Sequence, residues 1–394
     1  MWPLSPRLAL LTLLAASANH SLPASAGEKL AFYIGTATSD DEGGIHYSQI
    51  DLDDGSLAPP QLATPAKRTS FIWLHPTLDV LYSVAEVEPP GEEKHPACVA
   101  WQRDPTDGTL SLLNYQHAGG SGPCFVTVRD DGRFAAVANY GSGSTTIYPL
   151  AADGRLSPAS ATVQHEGSGP VANRQAGPHA HGVRFDASGS RLLAADLGTD
   201  DIFVFDVSKS GELTPSRPPS LINPPGSGPR HFVFSPDNRF VLSLGELSGT
   251  ISTFAFGPVD ADADSAEDPT AGIEPLSTVS TMAPGTPDDA NRWCAEILFH
   301  PSLPVVYCSN RGPHEMAIFD YDPGSGQLIR RSGLPCGGKT PRNFRLTPDG
   351  NFLLVANQDS DNIAVFRVDP RNGDLEPTGH SITVAKPMCI KFVH

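Results

Sequence analysis

The sequence predicts an all-β fold, a seven-bladed β-propeller whose four-stranded antiparallel blades are closed by N- and C-terminal strands sharing one blade. Three observations lead there. The 37 glycines and 38 prolines of the 394 residues are scattered at intervals and not pooled in a linker, as a protein of many turns requires. A two-strand pattern recurs along the chain. What is left at the two chain ends adds up to one more copy of it.

The pattern is clearest in PRHFVFSPDNRFVLSLGE (229–246), with echoes at 70–86, 123–140, 179–197, 294–311 and 341–358. Each copy reads as an apolar strand, a short polar turn, a second apolar strand and a polar exit, which is a β-hairpin. A third strand follows most copies, as in DDIFVFDV (200–207), GTISTFAF (249–256), EMAIFDYD (315–322) and DNIAVFRV (361–368), then a glycine-containing turn and a weaker fourth strand. Anchored on Pro123, Pro178, Pro229, Trp293, Pro341 and Pro387, the repeat is about 50 residues long, the length of one four-stranded blade. Six hairpins are complete. The C-terminal PMCIKFVH (387–394) supplies a single strand, and 29–57 supplies the outer strands of the seventh blade, so that no sheet edge is left open.

Residues 1–26 read as a signal peptide, with Arg7, the apolar run LALLTLLAASA (8–18), and Ala24 and Ala26 as the small residues of a cleavage site. That run is too short for a hydrocarbon core of roughly 30 Å. The expected outcome is a protein exported to the periplasm or secreted, with no membrane anchor, whose propeller domain covers 27–394. An acidic loop insertion is expected at about 258–290, opening with PVDADADSAEDPTAGIEP. A net charge of −17 argues against nucleic acid and anionic membrane surfaces. An anionic substrate therefore needs a local positive pocket, and a monomer is expected. The six cysteines show no Cys-x-x-Cys spacing, which argues against a zinc knuckle. Export permits a disulfide or two, while Cys124 and Cys294, near the starts of separate strands, read as buried thiols.

Aligning the repeats on their turns puts Ser70, Cys124, His181, Arg230, Ala295 and Arg342 at one position of the first strand, with Met388 equivalent. Glu86, Tyr140, Leu197, Glu246, Arg311 and Gln358 fall at the matching position of the second. Counting outward from the turn makes Arg230 and Glu246 an opposed pair. In a propeller these ends converge on one rim of the central channel. His181, Arg230 and Glu246 meet there, Arg292 stands on the loop above, and Arg342, Arg311 and Glu86 extend the ring as substrate-binding candidates. His179, two residues above the rim, either hydrogen-bonds a loop or lines the entrance as a further substrate-binding candidate. Three other readings stay open: a satisfied ion pair between blades, a metal bound by the His-x-His pair, and calcium held by Glu86, Asn139, Asp196 and Asn310. Nearby arginines argue against a metal, and no cofactor is expected.

The stretches GPHAHGVRFD, AADLGTDDIFVFDV, GSGPRHFVFSPDNRF, NRWCAEILFHP and TPRNFRLTPDGNFLLVANQDSDNIAVFRVD resemble the lactonase family of seven-bladed propellers. That family includes bacterial 6-phosphogluconolactonase and fungal carboxy-cis,cis-muconate cyclase. The resemblance implies an active site of one His, two Arg and one Glu, falling on His181, Arg230, Arg292 and Glu246. It implies hydrolysis of a sugar-type lactone. Opening an internal ester needs an activated water, donors for the oxyanion and a proton for the leaving alkoxide, which assigns Glu246 as general base, His181 as proton shuttle, and Arg230 and Arg292 to the oxyanion or to a substrate carboxylate or phosphate. A carboxymuconate-type lactonizing cyclase, an isomerase, is the alternative chemistry. A non-catalytic exported binding propeller is the alternative without chemistry.

Overall fold

A computed structural model describes residues 27–39, 43–88, 91, 93–257, 272–287 and 290–393. The expected signal peptide and residues 258–271 of the expected insertion lie outside the described residues. Those described form seven four-stranded antiparallel sheets and one short 3-10 helix, Gln358–Ser360. No helix among them is long and apolar enough to cross a membrane.

The innermost strands are Ile72–Leu74, Pro123–Val128, Ala180–Phe185, Pro229–Phe234, Cys294–Phe299, Pro341–Leu346 and Pro387–Phe392. Each packs against the next, and Pro387–Phe392 touches both Pro341–Leu346 and Ile72–Leu74, which closes the ring. Its own sheet continues outward through Lys29–Thr36, Gly44–Asp51 and Gln61–Pro65, so the two chain ends share one blade as predicted. Burial follows radius. The second strand Phe240–Gly245 is buried throughout because neighbouring blades cover both its faces, whereas the outermost Ser277–Ser280 alternates half-buried with exposed residues. The core therefore lies between blades: Leu193, Ile202 and Val204 of one meet Phe232, Val241 and Phe254 of the next. Buried tyrosines lock these faces. Tyr33, Tyr82 and Tyr307 donate their hydroxyls to the carbonyls of Gly108, Gly154 and Gly373, 2.7 to 3.0 Å away in the outer turn of the following blade. Those glycines sit at φ of 76° to 84°, where other residues are strained.

One feature of the inner hairpins departs from simple counting and builds the site. The ladder of Pro229–Phe234 runs from Phe234↔Val241 to His231↔Leu244, skips Arg230 and resumes at Pro229↔Gly245. Arg230 and Glu246 are thus not an opposed pair, and the Glu246 N–H donates to the Gly228 carbonyl at 2.8 Å. The cause is a β-bulge, which leaves one residue unpaired and bends the strand. Equivalent bulges fall at Cys124, His181 and Arg342, and at Ala295 and Glu296. The ends of the second strands are used structurally. Asn139, Asn310 and Asn357 donate Nδ2 to the carbonyls of Ala118, Thr281 and Cys336 in the connectors between blades. Asp196 accepts from the backbone of His179 and Gly198 and pairs with His165. Of the four calcium candidates, Asn139, Asp196 and Asn310 thus brace connectors while Glu86 pairs with Lys94 and Arg68, and the described residues contain no group of three or more His, Cys, Asp or Glu that could hold a metal. All six cysteines are free thiols, with Cys294 buried and Cys124 half-buried.

Candidate active site

The bulged residues Cys124, His181 and Arg342 open onto a cavity of about 750 Å³ at one end of the channel, together with Ser70, Glu86, Tyr140, Arg174, Glu246, Trp293 and Arg311. Glu246 is its electrostatic centre. One carboxylate oxygen accepts from Arg174 at 2.7 Å, and the other faces Arg311 at 2.6 Å and Arg230 at 3.1 Å. Burial pushes its pKa up, but Arg311, Arg230 and Arg174 together outweigh burial and leave it at about 2. Arg230 also donates to the Ala295 carbonyl, and burial, then Arg342 and Arg311, push it down to about 9. Arg311 donates to the Cys294 carbonyl at 3.0 Å. The indole of Trp293, 44% exposed, covers Arg174 at 5.3 Å and Arg311 at 5.6 Å.

His181 is 5% exposed, and neither ring nitrogen has a hydrogen-bond partner among the described residues. Its ring lies 5.6 Å from Tyr140 and 5.2 Å from His231, edge to face in both cases. Burial, followed by Arg230 and His231, holds its pKa well below the usual 6.5, so the imidazole is neutral at neutral pH. Arg342 faces the same cavity with no hydrogen-bond or ion-pair partner among the described residues. Burial and then Arg311 push it down to about 10, so it keeps its charge.

The remaining sequence candidates fall further out. His179 stacks on Tyr140 at 4.6 Å and donates Nδ1 to the Tyr140 carbonyl at 2.9 Å, so it braces the cavity wall and does not line the entrance. Glu86 stands at the mouth, paired with Lys94 and, at 3.4 Å, with Arg68. Arg292 is not brought to Glu246. Its Nη2 donates to Pro287 at 3.1 Å, and it lines a separate depression with Arg330 and Arg331, because the loop ahead of Cys294 turns its side chain outward. Arg174 was not singled out by sequence. It lies in a connector without a counterpart in the repeat, held by Gln175, which donates to Leu197 at 2.9 Å and Asp200 at 2.7 Å. Below the rim is a closed layer that the alignment also passed over. There His231 Nδ1 meets Glu296 at 3.0 Å, and Asn343 donates to the other Glu296 oxygen.

The family model described as "Lactonase, 7-bladed beta-propeller" matches residues 31–392. The chain belongs to the lactonase family. Among curated relatives of this lactonase, the 6-phosphogluconolactonase of Bacillus subtilis is 30% identical over 92% of this chain and 98% of that protein. The 6-phosphogluconolactonase of Formosa agariphila is 30% identical over 89% of this chain and 96% of its own. Among solved structures, the periplasmic gluconolactonase of Pseudomonas aeruginosa is 30% identical with a TM-score of 0.83, covering 93% of this chain and 99% of that one. Chemically, the cavity of this lactonase offers a neutral imidazole with a free lone pair, a carboxylate locked among cations and one arginine left over for a ligand.

Proposed function

We propose that this lactonase hydrolyses a sugar-type lactone in the manner of a 6-phosphogluconolactonase, with His181 moving the proton. The observation that carries this reading is the unpartnered, neutral His181 beside a cluster of arginines in a cavity large enough for a sugar ring. His181 takes a proton from water as the water oxygen bonds to the lactone carbonyl carbon. Arginine N–H groups of the cluster stabilise the resulting oxyanion. The ring C–O bond then breaks, and the imidazolium returns the proton to the leaving alkoxide, which yields the hydroxy acid.

The base role expected for Glu246 passes to His181. Both oxygens of the Glu246 carboxylate are engaged by arginines, whereas the ring nitrogens of His181 are free to meet a water. The role of Glu246 is positioning: it fixes Arg174, Arg230 and Arg311 around the reacting carbonyl. Arg342 has no such partner, which suits it to a carboxylate or phosphate carried by the substrate. The exported location proposed from residues 1–26 is checked by sequencing the mature N-terminus, expected near Gly27.

The decisive assay follows acid release from the purified protein with glucono-lactone and with its 6-phosphorylated form, beside carboxymuconate lactone. Hydrolysis of a sugar lactone, with a lower KM for the phosphorylated one, is expected. Turnover of carboxymuconate lactone alone would replace hydrolysis by the cyclase reading. No turnover of any would leave a binding propeller.

A further inference from the structure

The innermost strands carry a second set of cations at the opposite end of the channel. Alternate residues of a strand share a face, so Arg184, Arg345 and Lys391 stand two residues beyond the middle layer of Gly182, Asn343 and Cys389. Other blades place Thr127, Val233 and Leu298 at this position, and Trp73 completes the ring. Lys391 Nζ lies 3.4 Å over the Trp73 ring, and the Arg184 guanidinium lies 5.5 Å from the same ring. Lys391 is 8% exposed and makes no hydrogen bond or ion pair with any described residue. Arg345 donates Nε to the Ile390 carbonyl at 3.3 Å, while its Nη2 and that of Arg184 are buried without an acceptor. A cavity of about 420 Å³ opens beside them, lined by Trp73, Arg345 and Lys391, with the exposed Asp130 at its edge.

The charges do not balance. The buried Glu296 carboxylate interacts with all three cations, and its oxygens are already taken by His231 and Asn343. A cation held largely away from water is unfavourable unless a counter-charge completes it, and Lys391 is buried while Arg184 and Arg345 are half-buried. We propose that this end of the channel binds a phosphate-group oxyanion, held by Lys391 and Arg345 against the Trp73 ring, with the charge of the neighbouring Arg184 adding to the attraction. A phosphate dianion supplies negative charge that Glu296 alone does not and accepts an orphaned guanidinium N–H group. Burial first, then Arg345, holds Lys391 well below the ordinary lysine value, the response of an ammonium among like charges that lacks its counter-ion. The site is separate from the lactone cavity and stands whether or not a lactone is turned over.

Thermal unfolding of the full chain in chloride buffer, at matched ionic strength, is compared with and without orthophosphate or glucose 6-phosphate. At ten times its Kd, orthophosphate raises Tm by on the order of 2 °C. Lys391→Met abolishes that rise, and Arg342→Gln, at the far cavity, keeps it. In chloride alone Lys391→Met is at least as stable as the parent, because an uncompensated charge has gone. A rise with orthophosphate alone assigns the site to the free ion, and a rise with both assigns it to phosphoryl groups in general. The proposal falls if phosphate gives no shift, or if Lys391→Met keeps the shift that Arg342→Gln loses. Should Lys391→Met not fold, Arg345→Gln is read by the same criteria.

Discussion

Two buried histidines and two buried glutamates share one channel, and the two pairs differ in how completely they are bonded. His231 is joined to Glu296 at 3.0 Å, Asn343 fills the other carboxylate oxygen, and Phe125 packs edge-on at 5.0 Å. Glu246, one layer up, gives its oxygens to Arg174, Arg230 and Arg311 and leaves His181 with no partner. A closed polar network stabilises and does nothing else. An open one keeps a lone pair and a proton acceptor for a ligand, at a cost in stability. The contrast between the layers is thus between scaffold and chemistry.

The widest expected gap is kinetic. His181→Asn lowers kcat on the confirmed lactone by about 10² to 10⁴-fold, with a Tm close to that of the parent because no native hydrogen bond is lost. His231→Asn changes Tm far more than kcat. Steady-state kinetics and calorimetry on the two variants check this, and equal kinetic losses would erase the distinction. Next in size is the cost of opening the closed layer. Glu296→Ala takes the acceptor from His231 Nδ1 and Asn343 Nδ2 and removes the counter-charge of the nearby Arg184 and Arg345, which costs about 3–5 kcal/mol by urea unfolding. Glu246 contributes through linkage. Its pKa in the folded state is depressed to about 2 from an ordinary 4.5, so its contribution is full above about pH 4.5 and is lost as pH falls towards 2. Glu246→Gln should accordingly show a shallower loss of stability across that window than the parent.

The sequence made the scaffold legible and only part of the site. The hairpin repeat, the blade count and the shared terminal blade follow from periodicity, since each strand reports its own burial. The convergence of His181, Arg230 and Glu246 was also legible, because a repeat position becomes a ring once the blades close. The bulge was not: it shows only in the register, and without it Arg230 reads as opposed to Glu246. Arg174 was hidden because its connector has no counterpart among the repeats. Arg292 was misplaced because a loop residue's direction is not set by strand alternation. Glu296, Arg184, Arg345 and Lys391 did leave a signal, a charge inside each of the apolar strands CAEILF, AHGVRF, PRNFRL and PMCIKF.

The smaller effects test whether the open layer works as a unit. Arg342→Gln removes an arginine that no protein carboxylate holds. KM for a phosphorylated lactone should rise about tenfold, a loss of roughly 1.4 kcal/mol, while KM for the unphosphorylated lactone stays nearly constant. An equal rise for both would move Arg342 from substrate recognition to the oxyanion. The same variant shifts the pH profile. Protonated His181 cannot accept a proton from water, so kcat/KM falls as pH drops through its pKa, and that limb lies well below 6.5 in the parent. Burial sets most of the depression, with Arg230, His231, Arg342 and Arg311 adding to it. Deleting the Arg342 charge raises the His181 pKa and moves the acid limb towards neutrality, while Arg345→Gln at the other end of the channel leaves it in place. A limb that ignores Arg342 but follows Glu246→Gln would make the carboxylate the base and reverse the roles given to the two residues.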